Sequence, residues 1–256
     1  MTACQVCGGE DRRLFIRHGG YDLYECGGCR LVYCDPMPTA AEIERLYTDA
    51  YAGASQGYFA KVDAKLHRMR LRLRWILAAS GLDPATTASG LDPATAARRF
   101  LDVGASGGFM VETARRAGLQ ATGLELDPVS VAYARSHYPG SDFVHGRIET
   151  LAATAPPAFD LVHCSEVIEH VTDVNAFVAG IVRVMKPGGF LYLTTPDLGH
   201  WRRPRDLTRW DAFAPPGHCL YFRTANLTRL LERHGLAIVK RRRSWKPGLR
   251  LLARRR

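Results

Sequence analysis

The sequence predicts an α/β fold: one mostly parallel sheet of seven strands, or slightly fewer, with helices on both faces and a small cysteine-bearing segment in front. Three observations carry that expectation. From Arg99 onward, short apolar runs of strand character alternate with amphipathic runs of helical period. The run at 100–103 ends in a glycine-rich turn, Gly104-Ala105-Ser106-Gly107-Gly108, that opens one of those helices. Four of the seven cysteines fall in two Cys-x-x-Cys pairs near the N-terminus. Strand–helix alternation calls for parallel pairing, and right-handed crossovers leave few topologies.

Residues 1–38 form the first unit. Glycine pairs separate short β-like runs at 14–16 and 31–33, and Asp35-Pro36-Met37-Pro38 breaks the chain. Cys4, Cys7, Cys26 and Cys29 offer four thiolates at a spacing that suits a closed tetrahedral zinc site, which would organise a segment too small for its own core. Reduced cysteines without metal, or a redox pair, are the competing readings, and neither needs a doubled motif. A helical lead-in follows over 39–98. Thr39 can cap a helix through Leu46 with Glu42 closing a capping box, and a second helix is expected over 58–79 as cover for one flank of the sheet. Ser80–Ala88 and Ser89–Ala97 repeat almost perfectly (SGLDPATTA, SGLDPATAA), which reads as a tolerated surface loop. The main domain spans 99–256. Strands are expected at 100–103, 121–126, 142–145, 159–164 and 189–195, with helices at 109–117, 128–137 and 174–185 between them. An irregular stretch to His218 then leads to a helix at 224–234 and strands at 236–242 and 249–254.

Net charge is +10, but 30 of the 35 basic residues are arginine, a bias that points to genome composition more than to a phosphate-binding face. Nucleic acid therefore stays a secondary partner, kept open by Lys240-Arg241-Arg242-Arg243 and Arg254-Arg255-Arg256. No apolar run approaches the roughly 20 residues that span a bilayer, and no secretory h-region is seen, so the expectation is a cytoplasmic protein with no membrane partner. The sequence leaves the oligomeric state unknown.

The glycine turn carries the strongest chemical signal. Missing side chains at Gly104 and Gly108 let a ligand lie against the backbone, and Asp102 offers an acceptor at the strand end. The glycine spacing misses the dinucleotide fingerprint, and the absence of Gly-Lys-Ser/Thr excludes a P-loop. About 20 residues on, Glu125 ends the next strand, where an acid can accept both hydroxyls of a ribose. LDVGASGG, GLELDP, FDLVHCSEVIEHV and VMKPGGFLYLTTPD together resemble the class I S-adenosylmethionine-dependent methyltransferase family over residues 99–200. That resemblance implies a Rossmann-like sheet and S-adenosylmethionine as cofactor. Asp102, Gly104 and Gly108 would surround its methionine and ribose portions, Glu125 would hold the ribose, and Arg147 and Ile148 would lie near adenine. Ser106 and Arg147 depart from the usual family residues. The N-terminal segment, with its exit Leu31–Pro38, resembles a zinc-bearing subgroup of the family that acts on nucleotide-linked sugars and other secondary metabolites.

Methyl transfer requires in-line approach to the sulfonium carbon, with a base where the nucleophile carries a proton. Glu166, Glu169 and His170 follow the fourth main-domain strand, and on a helical turn they would share one face. Glu169 could orient His170 as general base. Glu-x-x-Glu-His also resembles the metal motif of ubiquinone-pathway O-methyltransferases, which implies a divalent cation at Glu166, Glu169 and His170. Hydrogen bonding that merely fixes the loop is the third reading. His218 resembles a family segment that closes over the site. Trp201, Trp210 and Phe213 are candidates for an apolar acceptor wall, and Asp197 is a weaker candidate. The expectation is a small-molecule methyltransferase acting on oxygen or carbon of a sugar or other specialised metabolite. The alternatives are an RNA base methyltransferase and a non-catalytic cofactor-binding protein.

Overall fold

A computed structural model of the chain describes residues 3–43, 45–46, 59–82 and 98–256. The elements are β1 (Arg12–His18), β2 (Tyr21–Cys26), β3 (Val32–Cys34), α1 (Val62–Ser80), β4 (Arg99–Val103), α2 (Phe109–Arg116), β5 (Gln120–Glu125), α3 (Pro128–His137) and β6 (Asp142–His145). They continue with α4 (Ile148–Thr154), β7 (Phe159–Ser165), α5 (Val174–Val184), β8 (Met185–Pro196), β9 (Leu220–Tyr221), α6 (Thr224–Arg233), β10 (Leu236–Arg241) and β11 (Gly248–Arg255).

The main sheet has seven strands in the order β10-β11-β8-β7-β4-β5-β6. The five from β8 to β6 run parallel, and β11 joins antiparallel to both β8 and β10. Because β4 pairs β5 on one side and β7 on the other, the chain reverses its direction of winding at β4. The loops leaving β4 and β7 therefore diverge at their carboxyl ends, and a crevice opens there.

Strand alternation sorts the buried side chains into two layers. Phe100, Leu161, Tyr192 and Leu252 pack with Leu73 and Ile76 of α1 and with residues of α2 and α3. Leu101, Val103, Val162, Leu193 and Leu251 pack on the other face with residues of α4, α5 and α6. As expected, α1 covers a flank of the sheet. The Thr39–Glu42 capping box is formed, with Glu42 N–H donating to Thr39 Oγ1 (3.2 Å) and Thr39 N–H to Glu42 Oε2 (2.7 Å). The helix expected at 174–185 ends one residue early, and β8 starts at Met185, ahead of the Gly188-Gly189 turn. The helix expected over 58–79 starts later, at Val62, because 59–61 are not helical and Lys61 before it takes φ 56°; most of the duplicated 80–97 segment lies outside the described residues.

The N-terminal strands form a second sheet, β1-β2-β3-β9, whose last member comes from the far end of the chain. Val32 and Tyr33 pair with Tyr221 and Leu220. Gln5 fastens the same segment to the main domain: its side chain donates to Thr172 O (2.8 Å) and accepts from Val174 N–H (2.8 Å) at the start of α5. Buried Glu25 accepts from Arg13, Arg30 and Arg223, the last reaching across from α6. Among the described residues, no helix is long and apolar enough to cross a membrane.

On α2, Arg115 and Arg116 both donate to Glu112, and these hydrogen bonds pull its carboxyl down to about 2. A depressed pKa contributes stability that is complete above the ordinary glutamate range and is lost as pH falls towards 2. Both arginines are about half exposed, so the contribution is screened to about 1 kcal/mol. Glu112→Gln should lower the thermal midpoint by roughly 3 °C at pH 7. Calorimetry across pH should show that deficit shrinking towards pH 3; a deficit independent of pH would assign the effect to packing.

Candidate functional site

The crevice at the carboxyl ends of the strands holds a cavity of about 670 Å³, within the range of small-molecule sites. Its walls include Asp102 and Gly104 after β4, Glu125 after β5, Arg147 and Ile148 at the start of α4, and Glu166 and His170 after β7. Gly108 does not reach the wall. A Cβ there would meet Phe143 at 2.6 Å and Ala134 at 3.1 Å, so this glycine, at φ 80°, lets α2 pack against α3 and β6. Gly104 has φ 76°, and a Cβ on it would run into the Val167 side chain. Ser106 adopts φ 47° where the family pattern has glycine.

Glu125 organises the turn. Its Oε2 accepts from Ser106 N–H (2.7 Å), and its Oε1 accepts from the N–H groups of Leu126 (2.7 Å) and Asp127 (2.9 Å). Burial pushes its carboxyl up against the lowering effect of those bonds. Backbone N–H groups thus hold both oxygens of the carboxylate in place while the residue still lines the cavity, where it can meet a ribose hydroxyl.

Asp102 carries a partner the sequence reading missed. Paired in register on adjacent strands, Asp102 Oδ1 and His163 Nδ1 lie 2.6 Å apart, both buried. Arg72 of α1 sits 3.3 Å from His163 Nε2 and donates to Ser165 Oγ at 2.9 Å. A guanidinium can only donate, so His163 accepts at Nε2 and gives its Nδ1 proton to Asp102. Lys65, Arg68 and Arg72 of α1 all line the cavity. The sequence pattern assigned this helix to covering one flank of the sheet and gave its basic residues no place at the site, while His163 was one polar residue inside an apolar run.

After β7 the expected helical turn is shorter than the sequence suggests. Only Ile168–His170 forms a 3₁₀ turn, and Glu166 stands before it at φ 57°. The Glu166 carboxylate accepts from Thr194 Oγ1 (2.7 Å). The structure groups Glu169 and His170 with His218 instead, one ligand atom from each lying within 4.8 Å of the others. Glu169 Oε2 accepts from Thr195 Oγ1 (2.9 Å), while its buried Oε1 has no hydrogen-bond partner among the described residues. His170 Nδ1 lies 2.7 Å from Gly217 O and His218 Nδ1 lies 2.8 Å from Ala212 O, contacts that put the proton on Nδ1 in each ring. Burial holds His170 at about 3 and lowers His218, while burial raises Glu169 well above the usual range. Of the three, His170 lines the cavity.

The acceptor-wall expectation for the 198–218 insert is corrected. Phe213 is buried against Tyr221, and Trp201 is exposed; neither these nor Trp210 line the cavity. Asp197 is buried, accepts from Gly199 N–H, and also lies off the wall.

At the N-terminus the four thiols of Cys4, Cys7, Cys26 and Cys29 converge within 4.8 Å, with Sγ–Sγ distances of 3.5 Å (Cys4–Cys29) and 3.4 Å (Cys7–Cys26). Each pair sits on a tight turn closed by Gly8 N–H to Cys4 O and by Arg30 N–H to Cys26 O.

A sheet reversing at β4, a left-handed glycine turn and a half-buried acid on the neighbouring strand define an α/β domain with its crevice at the carboxyl ends of the strands. The sequence profile of a methyltransferase domain matches residues 58–241. The chain belongs to the class I S-adenosylmethionine-dependent methyltransferase family. Ubiquinone biosynthesis O-methyltransferase of Xanthomonas campestris is 41% identical over 168 residues, 63% of this chain and 65% of that protein. The Xanthomonas euvesicatoria protein of the same name is 42% identical over 101 residues, 38% and 42% of the two chains. The chain thus spans between two fifths and just under two thirds of these curated relatives. Among solved structures, magnesium protoporphyrin IX methyltransferase from Synechocystis with bound SAH has a TM-score of 0.61 at 12% identity, covering 85% of this chain and 100% of that one. An S-adenosylmethionine-dependent methyltransferase from Mesorhizobium loti has 0.53 at 21% identity, covering 62% and 91%. The structural likenesses establish the fold.

Gly104→Ala separates backbone strain from close approach, because Gly118 has a similar φ of 86° but open space around it. Each substitution should cost about 1 kcal/mol for the left-handed backbone. Gly104→Ala should cost more in thermal denaturation and also weaken S-adenosylmethionine binding, whereas Gly118→Ala should leave binding intact. Equal costs for the two would show that Val167 yields freely.

Proposed function

We propose that this chain transfers a methyl group from S-adenosylmethionine to a hydroxyl oxygen of a small-molecule acceptor. The carrying observation is that one crevice is lined by the Glu125-braced turn on one side and, on the other, by His170, which leads to the Glu169/His170/His218 cluster beyond β7. The O-methyltransferase relatives support oxygen over carbon, and a small molecule over an RNA base. Bound, S-adenosylmethionine supplies an electrophilic methyl on sulfonium. Glu125 would hold its ribose, Asp102 and Gly104 would flank its methionine portion, and Arg147 and Ile148 would border the adenine. Arg72, through His163, fixes the orientation of Asp102.

For the acceptor side, we infer a divalent cation held by Glu169, His170 and His218, displaced from the Glu166/Glu169/His170 set that the sequence suggested. Supporting it are the unpartnered buried Oε1 of Glu169 and the two imidazoles whose Nδ1 groups are tied to carbonyls, the usual way a ligating histidine is oriented. A cation there would polarise an acceptor oxygen. Cys4, Cys7, Cys26 and Cys29 fit a structural zinc ion of four thiolates, with no open position for chemistry.

Titration calorimetry with S-adenosylmethionine should show saturable binding, weakened about 10- to 100-fold in Glu125→Ala by loss of charge-assisted ribose bonds. A folded Glu125→Ala protein that binds as well as the parent would refute the ribose assignment. Manganese(II), followed by its electron paramagnetic resonance signal, should bind once per zinc-loaded chain and lose that site in His218→Asn. Binding unchanged by that substitution would return the cluster to a hydrogen-bonding role.

A further inference from the structure

A surface feature outside the crevice carries no role in methyl transfer. Trp201 and Trp245 are 76% and 77% exposed, and their rings meet edge to face at 6.5 Å. They come from separate loops, one after β8 and one between β10 and β11. His200 locks the loops together by stacking on Trp201 at 6.0 Å, with its Nε2 3.1 Å from Ser244 O. The Arg202 guanidinium lies over both indoles, 5.2 Å from one ring centroid and 5.3 Å from the other. Arg242 lies 5.5 Å over Trp75 and so ties the same hairpin to α1, where Leu71 is 47% exposed. Eight of the sixteen residues in 199–205 and 240–248 are Lys or Arg, and none is acidic.

Two large indoles held rigidly in water are costly unless something covers them. We propose that this patch seats the protein on an anionic lipid bilayer surface. Charge complementarity selects that occupant. A second copy would bring the same positive patch against itself and be repelled. A single-stranded nucleic acid would stack its bases on open aromatic faces, but Arg202 lies over a face of each indole and His200 stacks on Trp201. Exposed tryptophans amid arginine and lysine match the headgroup layer, where indoles anchor and basic side chains meet lipid phosphates. Docking of this kind needs no spanning helix. Gly248 pairs with Pro196, so the patch lies at the carboxyl end of β8, the same end of the sheet as the crevice.

The test is co-sedimentation of the full chain with phosphatidylcholine vesicles, with and without phosphatidylglycerol, alongside Trp201→Ala/Trp245→Ala and Arg202→Ala/Lys246→Ala. The parent should bind only phosphatidylglycerol-containing vesicles, with a blue shift in tryptophan emission and weakening at high salt. Each double variant should lose about tenfold in partitioning, and the tryptophan variant should lose the blue shift. Both should keep the parent's thermal midpoint and its affinity for S-adenosylmethionine, which separates this proposal from the methyl-transfer reading. Failure of the parent to bind these vesicles would overturn the proposal, as would partitioning unchanged in the variants. So would tryptophan-dependent binding of a single-stranded RNA oligonucleotide in place of vesicles, or tryptophan-dependent dimerisation.

Discussion

The bond from Ser106 N–H to the Glu125 carboxylate is the interaction on which the cofactor end of this molecule depends. Between β4 and α2 the chain must reverse within five residues, with Gly104, Ser106 and Gly108 all at positive φ. Such a turn presents backbone N–H groups that strands and helices leave unsatisfied. One half-buried carboxylate from the neighbouring strand takes Ser106 N–H and, on its other oxygen, the N–H groups that lead into α3. Two βα connections are thereby pinned to each other at the point where the sheet changes direction, and the crevice keeps its shape.

A second set of polar contacts fixes the opposite wall. Asp102 holds His163, Arg72 bridges His163 to Ser165, and the hydroxyls of Ser165 and Thr194 lead to Glu166. The chain of bonds crosses from α1 through β4, β7 and β8, so the lead-in helix is part of the site's construction as well as a cover for the sheet. Buried polar groups in such a row stabilise only when nearly all are paired. Beside this row, Glu169 Oε1 is one of six buried side-chain atoms left without a hydrogen-bond partner among the described residues.

Most of the fold was legible because its signals are local. Strand–helix alternation, the Gly104–Gly108 turn, the Thr39–Glu42 box and the paired cysteines each declare themselves within a few residues, and Glu125 follows from its distance to the turn. What failed to show was long-range. Nothing near Leu220–Tyr221 says that it completes the N-terminal sheet. Nothing near Glu169 says that His218, from the far side of the 198–218 insert, joins it and His170. A glycine such as Gly108, whose added Cβ would meet Phe143 and Ala134, looks the same in sequence as one needed for a ligand. His163 was hidden by register, since its partner Asp102 lies on another strand.

The sharing of β9 bears on how such a protein could be recombined. In the linear chain the cysteine segment looks like a detachable prefix. In space it is completed by Leu220–Tyr221 and held by Arg223, while Cys219 N–H donates to Glu169 O and Cys219 O accepts from Cys34 N–H. The exchangeable part is therefore discontinuous: a chimera carrying a foreign N-terminal segment would need the matching 212–223 stretch grafted with it, or the strand pairing and the seat of His218 would be mismatched together.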